Sequence, residues 1–382
     1  MFELIDEWGP EKIVCVSDSR TGMRGVLVID NTARGLGKGG TRMSTTVSVG
    51  EVARLARNMT WKWAGVDLFY GGAKAGIWAD PHAESKEEVL RAFVRALRNE
   101  VPEEYVFGLD VGLTESDAAI MLDEAGRGGA VGTPHSLGGL PYDQLGVTGH
   151  GVAESTDAAA ASVGLDTATL SVSIQGFGAV GAATARRLAE LGATVVAVST
   201  SKGGVHNPDG LDVTELLALR AEYGDDLVAH VGDAKPLAAG EELTVTADVL
   251  VPAALQDVVA ADLAAGLPAR IVVEGANLPT SPQAQQVLHE RGVTVVPDFI
   301  ANAGGVVAAA VAMDARHSGI RPEPGAVFDT VSAKLRASTV DTLHASRSQN
   351  RTTHRVARAA AQSRVHEAMR LRGRTPRAVG AH

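Results

Sequence analysis

The stretch LSVSIQGFGAVGAATARRLAELGATVVAVS, residues 170–199, decides the fold predicted for this chain of 382 residues. An apolar strand leads straight into a G-x-G-x-x-G turn, a helix pattern follows, and a second apolar strand closes the stretch. Such a turn lets the backbone approach a pyrophosphate, and the helix N-terminus supplies N–H donors. The complete context predicts a Rossmann dinucleotide-binding domain, with a structural remnant as the alternative. The expected cofactor contacts are Gly176, Gly178, Ala179, Val180 and Gly181.

Three later apolar strands, residues 247–254, 270–277 and 293–298, continue the doubly wound pattern, and each ends in a loop. Ligands of such sheets bind at the carboxyl ends of the strands. For the proline and asparagine residues of these loops, ordinary turn chemistry is the competing explanation. The loop residues expected near the cofactor are Pro252, Ala253, Glu274, Asn277 and Asn302.

Composition bounds the class of protein. The length exceeds what one hydrophobic core supports, so two domains are expected, and the 4% of aromatic residues suits an α/β protein. The single cysteine, Cys15, excludes internal disulfides and multi-cysteine metal sites, and we expect no metal. The sequence offers no apolar run approaching about 18 residues and no targeting pattern, which favours a soluble, cytoplasmic protein without a membrane partner.

The net charge of −10 hides a basic tail, because residues 315–382 carry 13 Lys and Arg against 4 Asp and Glu. Apolar residues recur between the arginines, and no interleaved aromatic residues offer stacking platforms for bases. We therefore expect helices that dock on the acidic body or on a neighbouring subunit, and no binding of nucleic acid; an external polyanion is the alternative.

A second informative stretch is MTWKWAGVDLFYGGAKAGIWADP, residues 59–81. A capping-box pattern at Ser48 and Glu51 starts an amphipathic helix, and Lys62 falls on its apolar face. Lys62 and Lys74 flank a paired-glycine turn, which indicates a pocket with positive charge beside closely approaching backbone. Snorkelling of Lys62 along the helix is the alternative.

Several segments, in this order, resemble the glutamate/leucine/phenylalanine/valine dehydrogenases, which are NAD(P)-dependent oxidative deaminases of L-amino acids. The resemblance covers most of the chain. The matching segments are KGGTRM (38–43), MTWKWAGVDLFYGGAKAG (59–76), DVG (110–112), TGHGV (148–152), QGFGAVG (175–181), EGAN (274–277), PTSPQA (279–284) and NAGGV (302–306).

The resemblance implies two catalytic residues. Lys74 would activate the water that attacks the imino carbon, and Asp110 would carry protons to and from the amino group. A partly desolvated lysine among cations suits base catalysis near neutral pH, and the cations expected around it are Lys38, Arg42 and Lys62. The cofactor carries the redox step, because the hydride passes to nicotinamide C4.

The same resemblance assigns binding roles. Lys62 would hold the substrate α-carboxylate, and Thr148 and Asn302 would lie near the nicotinamide. Lys38 stands where glutamate-specific members place a lysine for the side-chain carboxylate, but Ala309 replaces the serine that assists it there. The pattern favours L-glutamate, which would be converted reversibly to 2-oxoglutarate and ammonia. A branched-chain or other apolar amino acid is the alternative.

The choice between NAD and NADP depends on the end of the second Rossmann strand. Thr200 leaves no carboxylate to repel a 2′-phosphate, and Lys202 offers a positive charge to it. These two residues favour NADP over NAD by a small margin.

We therefore predict an α/β fold of two domains around a cleft. An N-terminal substrate-binding and oligomerisation domain spans residues 1–148 and is joined by C-terminal helices within 315–382, while a Rossmann domain spans 149–314. The resemblance implies a homo-oligomer, often a hexamer or octamer. A catalytically silent regulatory relative is the alternative from another class of protein, although retention of Lys62, Lys74 and Asp110 argues against it.

Overall fold

The computed structural model describes residues 2–126 and 128–375, and the chain divides into two compact units. The first comprises Met1–Gln144, Ala308–Val327 and Ala359–His382, and the second comprises Leu145–Val307 and Phe328–Arg358. Residues 376–382 of the predicted basic tail lie outside the described residues.

The described strands are β1 (Lys12–Asp18), β2 (Met23–Asn31), β3 (Gly37–Lys38), β4 (Thr41–Met43), β5 (Gly71–Ile77), β6 (Tyr105–Val106), β7 (Ser171–Gln175), β8 (Thr194–Thr200), β9 (Gly203–His206), β10 (Lys235–Leu237), β11 (Val249–Pro252), β12 (Ile271–Val273) and β13 (Thr294–Val296). The described α-helices are α1 (Val49–Gly65), α2 (Lys86–Ala96), α3 (Glu115–Ala125), α4 (Tyr142–Leu145), α5 (Val147–Ser162), α6 (Ala179–Glu190), α7 (Val213–Tyr223), α8 (Ala261–Gly266), α9 (Pro282–Glu290), α10 (Asp298–Ala301), α11 (Gly304–Ala315), α12 (Pro324–Gln349) and α13 (Thr353–Leu371).

A mixed sheet organises the first unit. Among its described residues the strand order is β1-β2-β5-β3-β6, and β4 pairs with β5. The β1–β2 and β2–β5 pairs are antiparallel, whereas β3, β4 and β6 run parallel to their neighbours. Strands β2 and β5 pack with helices α2 and α3 around one apolar cluster, which contains Leu27, Ile29, Ala75, Phe93 and Met121.

The paired glycines, residues 71 and 72, begin a central strand, whereas the sequence pattern predicts a turn there. Every residue of β5 is buried. A Cβ on Gly71 would lie 2.5 Å from the carbonyl oxygen of Asn31, and one on Gly72 would lie 2.0 Å from Oγ1 of Thr60 in α1. The prediction of a turn is wrong because these glycines serve close packing of a strand against its neighbours.

The second unit contains the Rossmann-type sheet. Its described strands have the order β10-β9-β8-β7-β11-β12-β13, and β7, β8, β11, β12 and β13 are mutually parallel. Helix α6 starts directly after the glycine turn that follows β7. The predicted fold class, two α/β domains of which one is of the Rossmann type, is confirmed. The antiparallel strands β9 and β10 extend the sheet at one edge and were not predicted.

The C-terminal segment differs from the predicted partition, which assigned all of 315–382 to the first domain. Residues 328–358 belong to the second unit. The reason is their packing on α5: the ring of Phe328 lies 4.7 Å from that of His150, and Arg336 pairs with Glu154 and Asp157.

One window, Asp298–Ala315, is long and apolar enough to cross a membrane by length and composition alone. It corrects the expectation that no apolar run approaches this length. Core helices pass the same test, and 72% of the window is buried inside the protein.

The glycine turn provides a matched pair for testing the fold. A Cβ on Gly181 would lie 1.9 Å from the carbonyl oxygen of Gly176, whereas one on Gly178 would meet no atom within 4 Å. We expect Gly181→Ala to lower the free energy of unfolding by about 3 kcal/mol and Gly178→Ala to change it by less than about 1 kcal/mol. Urea denaturation of both variants measures the difference, and equal stabilities would contradict the packing role of Gly181.

Candidate active site

Lys74 and Asp110 form an ion pair inside the first unit. Lys74 belongs to the buried strand β5, and its Nζ lies 2.6 Å from Oδ2 of Asp110, which follows β6 in the chain. The side chains are 9% and 19% exposed, respectively. The structure thus brings together the two residues that the sequence singled out for catalysis.

Arg42 of β4 is the second cation at the same carboxylate. Its Nε donates to Oδ2 of Asp110 at 3.3 Å, and its Nη1 donates to Oε1 of Glu51 at 2.6 Å. Glu51 stands in the first turn of α1, where Ser48 is the N-cap and accepts the Glu51 N–H. The predicted capping residue Ser48 is therefore present, while the Glu51 carboxylate holds Arg42.

The charges of this cluster keep Asp110 ionised. Burial raises the pKa of Asp110, but the Lys74 ammonium and the Arg42 guanidinium outweigh burial and hold that pKa below its ordinary value. Of the cations expected around Lys74, Arg42 reaches it through the shared carboxylate. The direct charged contact of Lys74 is therefore an anion, and the cluster contains both a proton donor and a proton acceptor at hydrogen-bond distance.

The other two lysines of the predicted site differ in burial. Lys38, in β3, is 2% exposed, and its Nζ donates to the carbonyl oxygen of Val106 at 3.2 Å. The Lys38 carbonyl oxygen accepts from Nε1 of Trp63 at 3.0 Å, which ties β3 to α1. Lys62 is partly buried in the last turn of α1. Two elements that pack together thus carry Lys38 and Lys62.

The glycine turn of the second unit leaves the start of α6 open. Gly176 has φ +90°, a conformation that favours glycine, and Gly178 is the N-cap of α6. Gly178 and Ala179 are exposed and Val180 is partly buried. The free N–H groups of this helix start are suited to the phosphates of a dinucleotide.

The loops after β11 and β12 meet next to this turn. The N–H groups of Gly275 and Ala276 both donate to the carbonyl oxygen of Pro252, and that of Ala253 donates to Gln175 at the end of β7. Nδ2 of Asn302 lies 3.1 Å from Oδ1 of Asn277. The structure therefore gathers Pro252, Ala253, Asn277 and Asn302, as the sequence predicts.

Two further predicted residues lie at the edges of this region. A Cβ on Gly305 would lie 3.2 Å from Oγ1 of Thr148, so Thr148 borders the segment that follows Asn302. Glu274 is 1% exposed and points to Asp298 and His354. No local pattern points to His354, because it lies 80 residues further along the chain than Glu274.

Asp225, an acidic residue that sequence reasoning missed, lies against the end of β8. Oγ1 of Thr200 donates to the carbonyl oxygen of Asp225 at 2.7 Å, and Oγ of Ser201 donates to its carboxylate at 2.6 Å. The N–H of Lys202 donates to Oγ1 of Thr200 at 3.1 Å. A carboxylate and a lysine therefore flank the strand end where the adenosine ribose of a dinucleotide is expected.

A buried lysine–carboxylate pair in one α/β unit and a glycine-rich parallel sheet in the other define a two-domain enzyme of the dinucleotide-dependent type. Comparison with known proteins narrows this class. The family profile described as Glutamate/Leucine/Phenylalanine/Valine dehydrogenase matches residues 138–373, and that of the Glu/Leu/Phe/Val dehydrogenase dimerisation domain matches residues 10–127. The chain belongs to this family, so it is an amino acid dehydrogenase that uses NAD or NADP.

Relatives and solved structures agree with this membership. Glutamate dehydrogenase A2 of Halobacterium salinarum is 41% identical over 288 residues, 72% of this chain and 68% of the relative. Glutamate dehydrogenase of Thermotoga maritima is 39% identical over 294 residues, 74% of this chain and 70% of the relative. The hetero-hexameric glutamate dehydrogenase from Thermus thermophilus, in a Leu-bound form, has a TM-score of 0.83 at 32% identity and covers 96% of this chain and 91% of its own.

The Lys74–Asp110 pair makes a prediction about stability. Lys74→Met leaves the Asp110 carboxylate buried with Arg42 as its remaining cation, and we expect a loss of about 3 kcal/mol in the free energy of unfolding at pH 7. The double variant Lys74→Met/Asp110→Asn should recover most of this loss, because both charges are gone. Urea denaturation of the parent, the single variant and the double variant measures these free energies, with Arg20→Met as an exposed control.

The dependence of stability on pH provides a second test of the Lys74–Asp110 ion pair. Because the folded pKa of Asp110 is lowered, its contribution to stability is complete above the unfolded pKa and is lost as the pH falls through the folded pKa. The parent should therefore lose more stability on acidification than Lys74→Met does. Equal acid losses, or equal stability of the single and double variants at pH 7, would contradict the ion pair.

Proposed function

We propose that the protein catalyses the reversible oxidative deamination of L-glutamate to 2-oxoglutarate and ammonia. The contact of 2.6 Å between Nζ of Lys74 and Oδ2 of Asp110 carries the proposal, because it gives a direct path for a proton between a buried lysine and a partly buried carboxylate. The nicotinamide of NAD(P), when bound, would supply the hydride acceptor. The protein has to move protons on the amino nitrogen and on a water molecule.

Each residue of the pair has one task in this mechanism. Asp110, held ionised by its two cations, takes a proton from the substrate ammonium, so that the nitrogen lone pair assists departure of the hydride. Lys74 first releases its own proton to solvent, and then takes a proton from the water that adds to the resulting imine. Ammonia leaves after it receives a proton from the same pair. Arg42 stays charged throughout, because a guanidinium does not deprotonate in proteins.

Substrate binding uses the other two lysines. Lys62 holds the α-carboxylate, and Lys38 holds the distal carboxylate of glutamate. Burial of Lys38 supports a preference for substrates with an anionic side chain, because an anion stabilises a buried cation more than an apolar group does. Glutamate dehydrogenases at 41% and 39% identity support the same substrate. Buried Ala309, which lacks a hydroxyl, is the observation that favours an apolar amino acid as the second candidate.

The relatives support a proposal about assembly. We infer that the chain forms a homo-oligomer, in line with the match of residues 10–127 to a dimerisation domain and with the hexameric assembly named for the Thermus thermophilus structure. The cytoplasmic location and the number of subunits stay predictions.

A panel of amino acids tests the proposed substrate. We expect deamination of glutamate with a kcat/KM at least about 100-fold above that for leucine, valine or phenylalanine, because an apolar side chain offers no carboxylate to the Lys38 ammonium. Lys38→Met should lower kcat/KM for glutamate about 1000-fold, and Ala309→Ser should lower its KM about fivefold. Lys74→Ala is the inactive control. Deamination of leucine but not of glutamate would overturn the proposal.

We propose a preference for NADP, and two variants test it in opposite directions. Lys202 attracts a 2′-phosphate and Asp225 repels it, so Lys202→Glu should lower kcat/KM for NADPH about tenfold while Asp225→Asn raises it severalfold. Neither substitution should change kcat/KM for NADH by more than about threefold. Steady-state kinetics with both cofactors is the measurement, and a parent enzyme that prefers NADH would refute the preference.

A further inference from the structure

A largely buried histidine of the C-terminal segment lies against the loop region that the proposed function assigns to the cofactor. Nε2 of His354, in the first turn of α13, is 2.8 Å from Oε2 of Glu274, directly after β12. The same oxygen accepts the N–H of Asp298 at 2.8 Å. Glu274 is 1% exposed, and the His354 side chain is 12% exposed.

Glu274, Asp298 and His354 each offer an atom of a type that binds metals, and these atoms lie within 4.8 Å of one another. The contact of 2.8 Å between the histidine nitrogen and the glutamate oxygen is nevertheless a hydrogen-bond distance. A tetrahedral zinc ion would hold such ligand atoms about 3.4 Å apart. The three residues are therefore arranged as a hydrogen-bonded ion pair with a second carboxylate beside it.

The pair connects to the dinucleotide loop through Asp298. Oδ2 of Asp298 accepts the N–H of Leu278, which has φ +52°, and this bond of 2.9 Å holds the residue that follows the EGAN segment. The carbonyl oxygen of Asp298 accepts the N–H of Asn302 at 2.8 Å. Nδ2 of Asn302 in turn lies 3.3 Å from the carbonyl oxygen of Gly275 and 3.1 Å from Oδ1 of Asn277. Glu274 begins the loop and binds the N–H of Asp298, whose carboxylate holds Leu278 at the far end of the loop.

The surroundings of His354 favour its charged form. Burial lowers the pKa of His354, but the charges of Glu274 and Asp298 outweigh burial and raise that pKa above its ordinary value, while Arg358 opposes them. On another side, His289 of α9 and Arg347 of α12 line a cavity of about 290 Å³ together with His354. Loss of the proton from His354 leaves the Glu274 carboxylate buried without a charged partner, which costs stability at this point of the loop.

We propose that His354 is a positioning residue that holds the dinucleotide-binding loop through Glu274 and Asp298, and that its protonation tightens cofactor binding. This inference rests on the proposed function of the loop. Because the protonated histidine completes the ion pair, cofactor affinity is highest at low pH and falls as the pH rises through the titration of His354.

Equilibrium binding of cofactor tests the proposal without involving catalysis. Fluorescence titration of the intact protein with NADPH between pH 6 and pH 9.5 should give a dissociation constant that rises about tenfold across the titration of His354. NADH serves as a second probe, because it lacks a 2′-phosphate that titrates itself. His354→Gln keeps an N–H donor near Glu274 but carries no charge, so its dissociation constant should lack this transition and match the alkaline limit of the parent.

His344→Gln, at an exposed position of α12, is the matched control and should titrate like the parent. A dissociation constant of the parent that is flat over this range overturns the proposal whatever the variants do. The same holds if His354→Gln titrates like the parent, or if the purified protein retains zinc. Binding of neither NADPH nor NADH by the parent would instead refute the proposed function of the domain.

Discussion

The close packing of strand β5 on helix α1 is the constraint on which the active site depends. Glycine at position 72 lets the two backbones meet where a side chain would collide with Thr60. The strand is buried throughout and the Lys74 side chain is only 9% exposed, so its ammonium is best stabilised by a partner inside the unit. Asp110 is that partner. The position of the proposed base is thus set by backbone packing, which holds it more firmly than a surface loop would.

One carboxylate shared between two cations of different chemistry suits a proton relay. Lysine can give up its proton at accessible pH, whereas the guanidinium of Arg42 cannot. When Lys74 is neutral during the proposed cycle, Arg42 therefore still stabilises the charge of Asp110. Glu51 pairs with Arg42 at 2.6 Å and keeps the guanidinium in place. The cluster stays compensated in both protonation states of the lysine, which limits the cost of burying it.

Local patterns in the sequence predicted those strands and helices whose formation depends on neighbouring residues in the chain. Alternation of apolar strands with a glycine-turn helix was enough for β7, α6 and β8, because each signal lies within a few residues. The pattern failed at β5, where glycines that usually mark turns serve packing between elements distant in sequence. His354 and Asp225 were missed for the same reason: each acquires its role from a partner that only the tertiary fold brings near.

Basic side chains of the C-terminal segment pair with buried acidic side chains of the Rossmann unit. Glu154 is 1% exposed on α5, and Arg187 of α6 and Arg336 of α12 each take one of its oxygens. His354 of α13 reaches Glu274 in the same unit. Two basic side chains of residues 328–358 thus neutralise two buried acids of the Rossmann unit. Since a buried carboxylate without a cation destabilises its surroundings, this segment is an integral part of the nucleotide-binding unit rather than an appendage that only adds positive charge.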